Sequence, residues 1–221
     1  NKVITDSEKK VIAFHEAGHA TTSWLLEFAH PLVKVTIVPR GKALGAAWYL
    51  PNERQITTKE QMYHEMIATL GGRAAEQLIF GHISTGALSD LEKVTKQATA
   101  MIAYYGLDER IGNRSYYDST GQQDYALTKP FSEKTAEIID EQVSKLIESA
   151  YQEALRILGE NIDGLTQLAN KLIDKEVVFG DDLEMIFGKR PWVKEEIDFP
   201  KESQQATDSG QQSESTEENL V

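Results

Sequence analysis

Thr5-Asp6-Ser7-Glu8-Lys9-Lys10-Val11-Ile12-Ala13-Phe14-His15-Glu16-Ala17-Gly18-His19-Ala20 is the stretch on which the reading of this chain turns. Thr5 with Glu8 three residues on has the form of a capping box, and Val11, Ile12, Phe14, Ala17, Trp24 and Leu25 follow at helical spacing. The pattern predicts an amphipathic helix that stops before Pro31, since a residue preceding proline is pushed out of the helical region. Within it stand His15, Glu16 and His19. Positions i and i+4 share a helix face about 6 Å apart, so both imidazoles can reach one ion at roughly 2.0–2.1 Å. Glu16 sits where H-E-x-x-H proteases carry the carboxylate that takes a proton from water.

Outward from that helix the same signals recur. Thr57 with Glu60 forms a second box, and Tyr63, Met66, Ile67, Leu70, Ala74 and Leu78 make one apolar face up to Gly81. Ser89 with Glu92 makes a third, leading Leu91, Val94, Ala98, Met101 and Ile102 to a stop at Gly106. A long helix is expected over 132–158, and short ones around 165–173 and 181–187. Val33-Lys34-Val35-Thr36-Ile37 alternates as a strand does, and the turn from Gly41 to Gly45 returns it into Ala46–Leu50 as a hairpin. The stretch from Leu107 to Lys129 has no period and reads as a loop. The expected fold is mainly α with one small β-hairpin.

The 221 residues, 40% of them hydrophobic, suffice for a real core. Lys plus Arg number 23 against 35 Asp plus Glu, for a net charge of −12, which excludes a surface that neutralises a nucleic-acid backbone. No cysteine occurs, so a disulfide framework, a thiolate metal site and a Cys nucleophile are excluded. No apolar run approaches the roughly 18 residues of a spanning helix. The chain opens on Asn1 without a signal-peptide pattern, and reads as a piece of something longer. From Lys194 on, acids and small polar residues dominate, so 194–221 is expected to be a disordered acidic tail behind a folded domain over 1–193.

A catalytic zinc needs a third protein ligand and an open position. His30 falls at the end of the first helix, His64 near the start of the second on its surface, and His82 after a helix-ending glycine, so none is favoured. Two carboxylates remain. Glu76 lies in Gly71-Gly72-Arg73-Ala74-Ala75-Glu76, whose small residues allow another helix to approach, and Asp90 lies in the first turn of the third helix, where the dipole favours an ionised carboxylate. Spacing alone does not choose between them.

Four ordered motifs resemble the peptidase domain of FtsH-type proteases: Ala13-Phe14-His15-Glu16-Ala17-Gly18-His19-Ala20, Val38-Pro39-Arg40-Gly41 to Leu44-Gly45, Leu70-Gly71-Gly72-Arg73-Ala74-Ala75-Glu76, and Thr85-Gly86-Ala87-Leu88-Ser89-Asp90-Leu91. The resemblance covers nearly all of 1–193. It implies a helical, zincin-like metallopeptidase domain with one zinc on His15, His19 and an aspartate, and Glu16 as general base. The family's ligand aspartate lands on Asp90, which leaves Glu76 behind the ligands. Ser89 departs from the Asn or Asp that many members carry.

The resemblance further implies an ATP-dependent, membrane-anchored protease. No P-loop pattern occurs here, so ATP would be used by an ATPase module upstream of Asn1, behind a membrane anchor, in a homo-hexamer. Unfolded or membrane-protein substrates would lie extended across the cleft, added as a strand along Lys42, Ala43, Leu44 and Gly45. The full-length protein would face the cytoplasm at a bacterial inner membrane, or sit in the mitochondrial inner membrane. Two rival readings stand beside this one. A catalytically silent assembly domain is opposed by the intact His15, Glu16, His19 and Asp90. A deformylase-like hydrolase would need a Cys ligand.

Overall fold

The computed structural model describes residues 4–38, 45–49, 56–118 and 130–192. Lys42, Ala43 and Leu44, the loop beyond Asp118 and the acidic tail thus lie outside the described residues. Asn1–Pro191 make up one compact unit, to which the following account applies.

Helix α1 spans Asp6–Leu25, with the Thr5–Glu8 capping box in place. It is not the one-sided amphipathic helix that the sequence pattern suggests. Every residue from Ala13 to Trp24 is buried, so α1 is the axis of the domain. A helix segment buried to this extent needs small residues where neighbours cross, and it has them. A Cβ on Gly18 would lie 2.3 Å from the Gly71 carbonyl oxygen, and one on Gly71 would lie 2.4 Å from Thr22 Oγ1. Backbone therefore meets backbone where α1 crosses α2 (Lys59–Phe80).

Helix α2 begins one residue later than expected, because Thr58 and Gln61 rather than Thr57 and Glu60 close the box. It ends at Gly81, whose φ of +68° suits a residue without Cβ. Helix α3 (Leu88–Thr99) is not capped by Ser89. The chain enters it through a single 3-10 turn, Thr85–Ala87, and the Ser84 side chain caps that turn by accepting the Gly86 amide. At its far end α3 widens into a π turn over Ala100–Tyr104 before Gly106. Helices α4 (Glu133–Glu160) and α5 (Ile162–Lys175) complete the bundle. Ala150, Ala154 and Leu158 of α4, with Leu165, Leu168, Ala169 and Leu172 of α5, are wholly buried in the main core.

The hairpin forms as β1 (Leu32–Thr36) and β2 (Ala46–Tyr49), antiparallel with Val35 opposite Ala47. A third strand, β3 (Val177–Phe179), also pairs antiparallel with β1, giving the order β2-β1-β3. Helix α6 (Gly180–Phe187) follows directly. The segment behind it returns to the C-terminal end of α1. Trp24 Nε1 donates to the Gly188 carbonyl at 3.0 Å, and the buried Arg190 donates from Nη2 to the carbonyls of Leu26 and Ala29 at 2.8 and 3.1 Å. No helix among the described residues is long and apolar enough to cross a membrane.

Candidate metal centre

His15 and His19 lie one turn apart at the middle of α1, each less than a tenth exposed. Their Nε2 atoms face each other at 3.1 Å, and Asp90 Oδ2 lies 3.2 Å from the first and 3.4 Å from the second. Donors about 2.05 Å from a tetrahedral ion stand roughly 3.3 Å apart, so this triangle has the dimensions of one face of such a coordination shell. Asp90 reaches it from the first turn of α3, at the end of the loop that leaves α2.

The outer nitrogens fix which electron pairs face inward. His19 Nδ1 lies 2.9 Å from the Ala68 carbonyl, which only accepts, so Nδ1 carries the proton and Nε2 presents its lone pair. His15 Nδ1 lies 2.7 Å from Glu76 Oε1, the carboxylate–histidine arrangement that orients metal ligands. With both rings neutral, two imidazole lone pairs and a carboxylate oxygen converge on one point. Such a donor set calls for a cation. Without an ion, a proton takes the place of that cation. Burial alone would lower His15, but its bonds to Asp90 and Glu76 outweigh it and raise the imidazole to about 9. Burial would raise Asp90, yet the two imidazoles hold it well below the usual carboxylate range. His, His and carboxylate together suit zinc.

Glu76 does not join the triangle. It is 1% exposed, and its second oxygen accepts the Ser84 amide at 2.6 Å, so one carboxylate ties His15 to the loop that delivers Asp90. Burial would raise its pKa, and the bonds from His15 and Ser84 keep it low. Gly72 lies over the centre, where a Cβ would come within 2.6 Å of both Nε2 atoms. Of these features the sequence offered one signal. Gly72 and Glu76 are four residues apart and so share the face of α2 turned to α1.

Glu16 is buried beside the triangle, and burial foremost raises its carboxyl, against the pull of His19 and His15. Gly45, the one expected strand-edge residue among those described, abuts it: a Cβ there would sit 2.5 Å from Glu16 Oε1. Tyr49 of β2 lines the same cleft, and burial pushes its phenol up to about 12, so it stays protonated. The remaining histidines serve elsewhere. His30 lies beyond the end of α1 rather than on it, 3.2 Å from Glu65. His64 is half-buried rather than a surface residue and accepts the Phe28 amide at 3.2 Å, and the exposed His82 stacks on Phe80.

The centre opens on a groove of about 1090 Å³ that follows one face of α1 from Ser7 to Ser23. Strand β2 forms one wall, and α2 with the start of α3 forms the other. A helical domain with a His-Glu-x-x-His helix under an open groove is the architecture of a metallopeptidase. Residues 2–186 match peptidase family M41, and the chain belongs to that family. It is 63% identical over 193 residues to the ATP-dependent zinc metalloprotease FtsH of Parabacteroides distasonis, covering 87% of this chain and 28% of that protein. Against the FtsH of Karelsulcia muelleri the identity is 55% over 186 residues, covering 84% and 30%. The mouse mitochondrial inner membrane m-AAA protease component AFG3L2 is 46% identical over 193 residues, covering 87% and 24%. The chain thus spans less than a third of the length of these curated relatives.

Proposed function

We propose that this chain is the endopeptidase module of an ATP-dependent zinc protease, with one zinc held by His15, His19 and Asp90 and with Glu16 as general base. The observation that carries the reading is the triangle of three inward electron pairs with a buried carboxylate beside it. Zinc, when bound, supplies Lewis acidity and lowers the pKa of water towards about 7.

The chain's own residues do the rest. Glu16 accepts a proton from the attacking water as its oxygen bonds to the peptide carbonyl carbon. It then returns that proton to the amine nitrogen as the C–N bond breaks, leaving a carboxylic acid and an amine. Its burial strengthens it as a base relative to a solvated carboxylate. The groove supports internal cleavage rather than trimming from an end. From Ser7 to Ser23, at 1.5 Å per residue, it runs for about 24 Å, enough for about seven extended residues. The edge of β2 that does not pair with β1 offers main-chain groups to such a peptide, with Gly45 at the reacting end. Binding through the backbone reads side chains weakly, as suits unfolded or membrane-protein substrates. The relatives' printed names, ATP-dependent for FtsH and inner-membrane for AFG3L2, support an ATPase module and membrane association in the full-length protein; a homo-hexamer on the cytoplasmic face of a bacterial inner membrane, or in the mitochondrial inner membrane, completes the proposal.

Elemental analysis and casein hydrolysis test this. The wild type is expected to hold about one zinc and to cleave, Glu16→Gln to keep zinc and lose cleavage, and Asp90→Ala to lose zinc. Full zinc and activity in Asp90→Ala would overturn the ligand set.

A further inference from the structure

The groove is chemically different at its two ends. Towards the N-terminus of α1 its walls carry the apolar side chains of Val11, Ile12 and Leu88, Leu88 75% exposed at the rim, beside the charged Glu8 and Lys93. Beyond His19 they are polar. Glu65 faces the groove from α2 with a quarter of its side chain exposed, and its Oε1 lies 3.2 Å from His30 Nε2. Gln97 Nε2 donates to its other oxygen at 3.2 Å and so fixes the carboxylate from behind. Among the described residues neither Lys nor Arg lines this end, and Lys93, the one Lys or Arg in the groove's lining, comes from the same helix as Asp90.

We propose that Glu65 is a specificity-determining residue, selecting a basic side chain and rejecting an acidic one in the part of the peptide beyond the centre on the His19 side. The proposal rests on the reading of the groove as a peptide site. A carboxylate held in place by two partners yet open to the groove lowers its energy when an ammonium or guanidinium group arrives. A second carboxylate there meets Glu65 with neither Lys nor Arg in the lining to offset it. At the other end Glu8 is tied into the Thr5 cap and is matched by Lys93, so a preference for one sign of charge should be confined to the His19 side of the cleaved bond.

The experiment measures binding rather than hydrolysis. Fluorescein-labelled octapeptides of one neutral parent sequence, each carrying a single Lys or a single Glu moved along it, are titrated by anisotropy into zinc-loaded Glu16→Gln protein. At one or two adjacent positions on one side, Lys should bind about tenfold tighter than Glu, attraction and repulsion contributing about threefold each at a partly exposed site. Glu65→Lys should reverse the preference at those positions only. Glu65→Gln, which keeps the size and the Gln97 and His30 neighbours, should bring it within twofold. A flat profile in the Glu16→Gln protein, or a Lys preference that survives both second substitutions, would overturn the proposal. Absence of cleavage by the wild type would count against the peptidase reading and leave the binding profile to be judged by itself.

Discussion

Replacing Glu76 by Gln tests how one buried carboxylate positions two of the proposed ligands at once. In the native arrangement Oε1 accepts from His15 Nδ1 at 2.7 Å and Oε2 accepts from the Ser84 amide at 2.6 Å. Glutamine has the same shape but only one accepting oxygen. If its oxygen faces His15, its NH₂ points at the Ser84 N–H, donor against donor, in a pocket where the residue is 1% exposed. If the amide turns over, the NH₂ faces His15 Nδ1, which must then give up its proton to Nε2, and the inward lone pair is lost. Either way one ligand is disturbed, His15 directly or Asp90 through the Ser84 loop. Loss of such an orienting partner costs about 10- to 100-fold in metal affinity, or about 1.4–2.7 kcal/mol. Competition with a chromophoric chelator at pH 7.5 reads this, with circular dichroism to show that the helices remain. Zinc affinity within twofold of wild type would refute the positioning role.

Further outcomes follow from the packing and the charges. Gly18→Ala drives a methyl to within 2.3 Å of the Gly71 carbonyl oxygen, so it should cost about 3 kcal/mol or more in urea unfolding, and a loss under about 1 kcal/mol would contradict the backbone contact. Removing the ion with EDTA should lower the melting temperature by about 5–10 °C relative to protein at a hundredfold excess over the dissociation constant, in wild type and Glu16→Gln alike. An unchanged melting temperature would speak against a bound ion. Burial acts to raise Asp182, but its pairing with Lys171 and the Phe179 amide hold it below the usual carboxylate range. Its contribution is therefore present above about pH 4 and is lost as pH falls through the folded-state value. The melting difference between wild type and Asp182→Asn should thus shrink below about pH 4, and a difference constant down to pH 2.5 would discard the account.

What could be read from the sequence is what depends on near neighbours. The Thr5–Glu8 box and the four-residue spacing of His15 and His19 are local, and α1 carries both. The box at α2 slipped by one because Thr57–Glu60 and Thr58–Gln61 both fit the pattern, and the path of the incoming chain decides between them. Ser89 resembled a cap for the same reason, although the chain arrives through a turn that Ser84 caps. Val177–Phe179 is too short to show a period and is a strand only because β1, some 140 residues earlier, pairs with it. That every residue of α1 from Ala13 to Trp24 is buried follows from where α2, α4, α5 and the sheet settle, which no window of its own sequence contains. At the centre, spacing left Glu76 and Asp90 level. They are separated by which nitrogen of His15 each one meets, a matter of three-dimensional placement.

The anchoring of Gly188 and Arg190 on the end of α1 sets an order of events during synthesis. Trp24 and its partner Gly188 are 164 residues apart, so at 5–20 residues per second about 8–33 s pass between their additions to the growing chain. His15 and His19 are made before that interval opens and Glu76 and Asp90 in its first half, whereas the α5 side chains that bury α1 come late in it. A nascent chain therefore holds every proposed zinc ligand well before it can enclose the helix that carries two of them. The ribosome delivers the means to cut a peptide before the shape that holds one.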